Sequence, residues 1–133
     1  MKLYMLDTNI MSYLLEGNDK IRQKLFSVMQ GNIISIPEMV YYEILRGLLY
    51  NGSTIKLERF EAFCDLIPIH YMTKDSLASA AKIYAKLRKS GSIIEDSDIF
   101  IGAIALENNA ILVTNNEKHL GRIEGLVIEN WSI

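Results

Sequence analysis

Five short apolar runs alternate with longer amphipathic segments, and this alternation constrains the fold more than any other feature of the chain. The runs have the length and composition of β-strands and cover residues 2–6, 32–36, 66–70, 110–114 and 125–128. The segments between them predict helices at about 9–16, 20–30, 37–50, 54–64, 74–90 and 96–108. Strands that alternate with helices form a mainly parallel sheet that is covered on both faces. We therefore expect an α/β protein with three layers, α/β/α.

The length and composition of the chain predict one domain that spans residues 1–133. The 133 residues contain no internal repeat and no linker rich in Pro, Gly or Ser, and half of them are apolar. No apolar run is long enough to span a membrane, and Asp7 interrupts the first run too early for a signal peptide. The single cysteine, Cys64, fits a reducing compartment. We therefore expect a cytoplasmic protein without a membrane segment.

The charge of the chain places a condition on any nucleic-acid substrate. The net charge is −2, so there is no overall positive field that would attract a polyphosphate. Local basic clusters or bound cations would have to supply that attraction. Candidate clusters, each of which also fits a solvated helix face, lie at 20–24, 56–59, 86–89 and 118–122.

Asp7 ends the first apolar run, in the segment YMLDTNI, where a charge is unexpected. Burying an unpaired charge costs roughly several kcal/mol. Asp7 therefore requires a partner. In Asp7-Thr8-Asn9 each residue can cap the next helix. Alternatively, Asp7 lines a ligand cleft, because ligands bind at the carboxyl ends of strands in open parallel sheets. The other acidic residues favour the cleft.

Glu43 lies at the edge of the apolar face of the helix predicted in IPEMVYYEILRGLL. An ordinary ion pair with Arg46, three residues later, is the alternative role for this carboxylate. Gly47 costs a helix about 1 kcal/mol relative to Ala, so we expect a packing or access reason for a glycine beside Glu43.

Asp98 begins a segment, DIFIGAIALE, that is apolar on nearly every side and predicts a buried helix. It shares a face with Gly102 and Ala105, which allow a neighbouring element to approach closely. Asp96 lies about 200° away around such a helix, so the two side chains cannot point in the same direction. We assign Asp96 to the N-cap and Asp98 to the site, and the reverse assignment is the alternative.

Thr114, Asn115 and Asn116 follow a later strand, at the same topological position as Asp7. Asparagines also suit turns, which would explain them without a site. We interpret His70 as a strand-end residue and His119 as a surface residue at the start of a helix, so no Cys/His cluster suggests zinc.

Carboxylates that converge from separate elements repel one another. A like-charge pair at 4 Å costs about 4 kcal/mol at an effective dielectric constant near 20. Either one carboxylate is protonated or a cation neutralises the group. Mg²⁺ is the cation that fits best, with Mn²⁺ as a substitute, because such ions bind one or two carboxylates and keep waters for a phosphate.

Four motifs together resemble a PIN domain. They are LDTNI, EILRG, DIFIGAIA and LVTNN, and they cover nearly the whole chain in this order. More narrowly, the chain is similar to a VapC-type toxin ribonuclease of a toxin–antitoxin pair. The resemblance implies Mg²⁺-dependent cleavage of RNA, with Asp7 and Asp98 as metal ligands and Glu43 completing the acidic site. It also implies a homodimer and a small antitoxin whose tail fills the cleft.

The resemblance extends to supporting positions and has one departure. Thr8 and Thr114 match polar positions that orient the carboxylates, and Arg46 matches a charge near the site. Asn9 and Asp96 flank the acids as further supporting residues. Many family members have an acid at the position of Asn116. The asparagine puts a second metal ion in doubt but does not abolish the first site, so Asn116 stays among the expected catalytic residues.

Two other functions remain open at this point. A degenerate PIN-like module that binds RNA or a protein partner without cleavage is favoured by Asn116. A phosphohydrolase with an aspartyl-phosphate intermediate is the weaker alternative, since such enzymes usually have a second acid where this chain has Asn9.

Overall fold

The computed structural model describes residues 1–133 and contains five β-strands and seven α-helices. The strands are β1 (Leu3–Leu6), β2 (Ile33–Pro37), β3 (Ile69–His70), β4 (Ile111–Val113) and β5 (Val127–Glu129). The helices are α1 (Thr8–Leu15), α2 (Asp19–Met29), α3 (Glu38–Asn51), α4 (Thr54–Leu66), α5 (Lys74–Lys89), α6 (Asp96–Glu107) and α7 (Glu117–Leu120).

The strands form one sheet in the order β3-β2-β1-β4-β5, and every neighbouring pair is parallel. The central strand is β1, in which Tyr4 pairs with Ile34 on one side and Ile111 on the other. The predicted α/β class with its mainly parallel central sheet is therefore confirmed. Parallel strands all end at the same edge of the sheet, so the residues that follow β1 and β4 emerge side by side.

The core lies between the central strands and the helices, with α6 as its most buried helix. Met5, Leu6 and Leu112 are fully buried. Six of the twelve residues of α6 are buried, in agreement with its apolar composition. Gly102 permits a close approach, because a Cβ atom there would lie 2.4 Å from Cδ1 of Ile123.

Three elements differ from the sequence prediction. The predicted strand at 66–70 is reduced to the two residues of β3, because α4 continues to Leu66. Pro37 ends β2 and caps α3 instead of lying in its first turn. The short helix α7 is not among the six predicted helices, although the interpretation of His119 as a helix-start residue implied a helix nearby. No helix of the structure is both long enough and apolar enough to cross a membrane.

Candidate active site

Asp7 lies at the point where β1 meets α1, and its carboxylate is held from both sides. The residue is 3% exposed. Its Oδ1 accepts a hydrogen bond of 2.8 Å from the backbone N–H of Thr8, and its Oδ2 accepts one of 2.6 Å from the hydroxyl of Thr114. The capping role considered for Asp7 is therefore confirmed, since it caps α1, and its carboxylate also contacts the residue that follows β4.

Glu43 reaches the same place from α3. The hydroxyl of Thr8 donates a 2.9 Å hydrogen bond to Oε1 of Glu43, so the threonine links this carboxylate to Asp7. Arg46 lies 3.7 Å from Oε2 of Glu43 and stacks over the ring of Tyr42 at 5.2 Å. The guanidinium is largely exposed, so the ion pair lies at the rim of the site and contributes little stability.

Asp98 enters from the first turn of α6, and its side chain is 18% exposed. The predicted N-cap role of Asp96 is wrong: Glu95 occupies the N-cap and forms no side-chain capping bond. The helix begins at Asp96, which places this exposed carboxylate in the first turn, where it interacts favourably with the helix dipole. Of the two acids, Asp98 is the one that the structure brings to Asp7.

The amide side chains around the site hold the end of β4 in place. Oδ1 of Asn9 accepts a 3.2 Å hydrogen bond from the backbone N–H of Asn115, whose side chain donates to the hydroxyl of Tyr13 at 2.7 Å. The backbone N–H of Asn116 donates to Oγ1 of Thr114 at 2.9 Å. Thr114 thus accepts from the chain that follows it and donates to Asp7.

His119 lies beside the acids, contrary to its interpretation as a surface residue without a part in the site. Its Nδ1 is 3.3 Å from the side-chain amide of Asn116 and 3.8 Å from Oδ2 of Asp98. The sequence signal that could have found it is the spacing of three residues from Asn116, which places both side chains on one side of the short helix α7. By contrast, His70 ends β3 as predicted.

The charges of neighbouring acids raise the pKa values of Asp7 and Asp98, so these carboxylates share one electrostatic environment. Burial raises the pKa of Asp7, and the charge of Glu43 adds to this effect. Burial and then the charge of Asp7 raise the pKa of Asp98 to about 6, with smaller increases from Glu95 and Glu43. Neutralisation of this group by a proton or a cation is therefore favourable.

The donor set suits a hard cation that binds few protein ligands. No three Asp, Glu, His or Cys side chains are placed to hold one metal ion together. Mg²⁺ needs only one or two carboxylates, because waters complete its coordination. Both oxygens of Asp7 accept one hydrogen bond each, which leaves lone pairs on each oxygen for a cation. Asp7 and Asp98 are therefore the residues that would hold the ion, because neither carboxylate is paired with a lysine or an arginine.

The family model for the PIN domain matches residues 4–126 of the chain. The chain belongs to the PIN-domain family. The resemblance predicted from the four sequence motifs is confirmed by this match.

Comparison with relatives and solved structures shows which members of the family this chain is similar to. The PIN domain is 33% identical to "Ribonuclease VapC2" of Rickettsia felis, over 97% of this chain and 98% of that protein. It superposes on the crystal structure of VapBC2 from Rickettsia felis, bound to a DNA fragment from its promoter, with a TM-score of 0.91 and 29% identity over 97% and 98% of the two chains. It superposes on VapBC-1 from nontypeable Haemophilus influenzae with a TM-score of 0.86 and 27% identity over 98% and 99%. Both structures are VapBC toxin–antitoxin complexes.

Two hollows flank α1 in this PIN domain and meet at Leu15, which lines both. The polar hollow lies between α1, α3 and the start of α4, begins at Thr8 and Glu43, and has three hydrophobic residues among its eleven. The apolar groove lies between α1, α2 and α4, has a volume of ≈ 510 Å³ and has eight hydrophobic residues among its eleven.

Proposed function

We propose that this PIN domain is a Mg²⁺-dependent endoribonuclease that acts as the toxin of a toxin–antitoxin pair. The observation that carries the proposal is the meeting of Asp7, Glu43 and Asp98 at the carboxyl edge of the sheet. The raised pKa values of Asp7 and Asp98 are typical of a functional site that holds a cation. The similarity to a protein named ribonuclease supports RNA as the substrate.

The metal would be held by Asp7 and Asp98. When bound, Mg²⁺ lowers the pKa of water and polarises a phosphoryl oxygen. The residues of the chain then have separate tasks. Thr8 and Thr114 orient the Asp7 carboxylate. Glu43, held by the Thr8 hydroxyl, accepts the proton of the attacking water or holds that water in position. Water attacks phosphorus in line with the departing 3′-oxygen, so the products carry 5′-phosphate and 3′-hydroxyl ends.

The test is RNA cleavage by the purified chain with Mg²⁺, with and without EDTA. Asp7→Asn and Asp98→Asn should each lower the rate by about 100-fold or more, because each removes a metal ligand. Both variants should retain the circular dichroism spectrum of the original chain. Glu107→Gln is the matched control, since it removes an exposed acid from the opposite end of α6, and it should cleave at close to the original rate. Unchanged cleavage by Asp98→Asn would contradict the proposal.

An antitoxin partner is supported by the VapBC complexes among the similar structures. The apolar groove between α1, α2 and α4 suits an apolar segment of such a partner, because Phe26 is 60% exposed and Leu66 is 78% exposed there. Arg22 and Arg59 also line the groove and favour an acidic flank on the partner. Phe26→Glu should prevent co-purification with the antitoxin while RNA cleavage is retained.

The same proposal includes a homodimer that acts in the cytoplasm. Sedimentation of the purified chain tests the dimer, and a species at the monomer mass over the micromolar range would contradict it.

A domain that binds RNA or a protein without cleavage is the second candidate, and Asn116 favours it. The asparagine offers a neutral amide where a further acid would help to hold a metal, and this amide contacts His119. Cleavage that EDTA abolishes would exclude this candidate, whereas RNA binding without cleavage in Mg²⁺ or Mn²⁺ would establish it.

A further inference from the structure

The polar hollow opens directly from the acidic site and continues along α1 and α3. It shares Thr8 and Glu43 with the site and extends to Lys56 in the first turns of α4. Lys56 is the only cationic residue of its lining, which also carries the carboxylates of Glu16 and Glu43. A chain that passes through the acidic site can therefore continue into the hollow without leaving the surface of the protein.

Gly47 lines this hollow, and neither packing nor backbone conformation requires a glycine there. A Cβ atom at Gly47 would meet no other atom within 4 Å, and the residue lies within α3 with ordinary helical backbone. Glycine weakens the interior of a helix, so its presence calls for another reason. The remaining reason is access, because any side chain at this position would extend into the open hollow.

The polar groups that line the hollow are available to a ligand. Ser53 forms no capping hydrogen bond with α4, although it occupies the N-cap. Lys56 is half-buried and takes part in none of the four salt bridges of the chain. A lysine that packs its aliphatic stem against the protein and has no carboxylate partner suits a phosphate. Ser12 and Asn51 add a hydroxyl and an amide to the same lining.

We propose that the polar hollow binds a nucleotide of the RNA next to the phosphate that is cleaved. Lys56 pairs with the backbone phosphate of this nucleotide, and the hydroxyl and amide groups of Ser12, Asn51 and Ser53 bind its ribose or base. The open face at Gly47 leaves room for it. The inference rests on the proposed ribonuclease function and adds a second contact region for the substrate.

The volume and polarity of the hollow favour a nucleotide over a protein segment. Its volume is ≈ 170 Å³, below the range of roughly 300–1,000 Å³ that encloses a whole drug-sized ligand, so it fits one ribose or base of a longer chain. A protein segment would instead find apolar surface in the groove on the other side of α1, where eight of eleven lining residues are hydrophobic.

The experiment compares Gly47→Gln and Lys56→Gln with two matched controls. Ala85→Gln places the same side chain at an exposed position of α5, and Lys74→Gln removes an exposed lysine at the start of that helix. Two quantities are measured on the full chain. One is the kcat and KM for cleavage of a fluorescein-labelled single-stranded RNA of random sequence. The other is the Kd for the same RNA, with Asp98→Asn added to every protein so that the RNA stays intact.

We expect Gly47→Gln to raise KM and Kd by about tenfold or more, because its side chain fills the hollow. Lys56→Gln should raise both several-fold and reduce their dependence on salt. The melting temperature of Gly47→Gln should be equal to or above that of the original chain, since glutamine favours a helix. The controls should stay within about twofold of the original chain. If Gly47→Gln does not fold, the same KM and Kd measurements are made on Gly47→Ala and Lys56→Gln.

Two results would overturn the inference. One is an unchanged Kd and KM for RNA in Gly47→Gln and Lys56→Gln. The other is unchanged RNA binding together with loss of antitoxin binding, which would assign the hollow to a protein. Failure of the proposed ribonuclease function would give another result, because the original chain would then not cleave RNA. A higher Kd for RNA in Gly47→Gln would still support a nucleotide in the hollow.

Discussion

The hydroxyl of Thr114 donates the shorter of the two hydrogen bonds to the buried Asp7 carboxylate, at 2.6 Å. We expect Thr114→Val to lower the free energy of unfolding by about 1.5–3 kcal/mol, because it leaves one carboxylate oxygen without its donor in a buried place. It should also weaken Mg²⁺ binding, since Asp7 loses its orientation. Urea unfolding and a Mg²⁺ titration measure the two effects. Thr114→Ser is the control, because it keeps the hydroxyl, and an equal loss in this variant would contradict the explanation.

The raised pKa of Asp98 predicts how stability depends on pH in the absence of metal. Burial and the charge of Asp7 raise this pKa from an ordinary 3.8 to about 6, so between these values the folded chain binds more protons than the unfolded chain. The free energy of unfolding should therefore fall as pH rises from about 4 to about 6, by up to about 3 kcal/mol. Urea unfolding across this range measures the slope.

Asp98→Asn provides the comparison for this pH dependence. The variant lacks the titrating group, so its stability should fall less steeply over the same range, with the remaining slope due to Asp7, whose pKa burial also raises. An identical slope in the two proteins would contradict the role of Asp98.

Single residues differ in how well the sequence predicts them. The acids at strand and helix ends could be identified because a charge next to an apolar run needs a reason. His119 could not, since its importance comes from α7, a helix of four residues that folds back towards Asp98. The prediction that Asp96 is the N-cap was wrong because α6 begins one residue earlier than the capping preference of aspartate suggested.

At the scale of elements, Gly102 determines how closely α6 approaches the segment after α7. A Cβ atom there would lie 2.4 Å from Cδ1 of Ile123, which is itself buried. We expect Gly102→Ala to lower the free energy of unfolding by about 1–3 kcal/mol despite the better helix propensity of alanine, because the buried side chain of Ile123 would have to shift to make room for the added methyl group. Thermal or urea unfolding measures the change.

Ile123→Val is the second arm of this test, because it removes the Cδ1 atom that the new methyl group would meet. The double variant should be more stable than the sum of the two single changes predicts. Additive effects would show that the helix contacts something other than Ile123.

The elements themselves were largely predictable from periodicity. The apolar runs of β1, β2 and β4 and the all-round apolar segment of α6 are strong signals. The weak case is β3, where Leu66 and Ile67 extend the apolar run but belong to α4 and its cap, so only two residues pair with β2. The order of the strands could not be predicted, because it depends on which long-range pairs form and not on local pattern.

At the scale of the whole molecule, binding of Mg²⁺ should stabilise the fold, because the acids come together only in the folded chain. The gain is about 2.7 kcal/mol at a concentration 100 times the Kd. We expect the rise in melting temperature to be larger at pH 8 than at pH 5, since protons compete with the ion for Asp98. Asp98→Asn should show little rise at either pH, and KCl at equal ionic strength is the control for screening.

The position of β1 in the centre of the sheet affects the order in which the protein becomes active. The first strand of the chain can pair on both sides only when Ile111–Val113 is present, and Asp7 receives its hydroxyl partner only from Thr114. A growing polypeptide therefore carries its acids without an assembled centre until more than a hundred residues have been made. The centre can therefore not form until Thr114, 107 residues after Asp7, has left the ribosome.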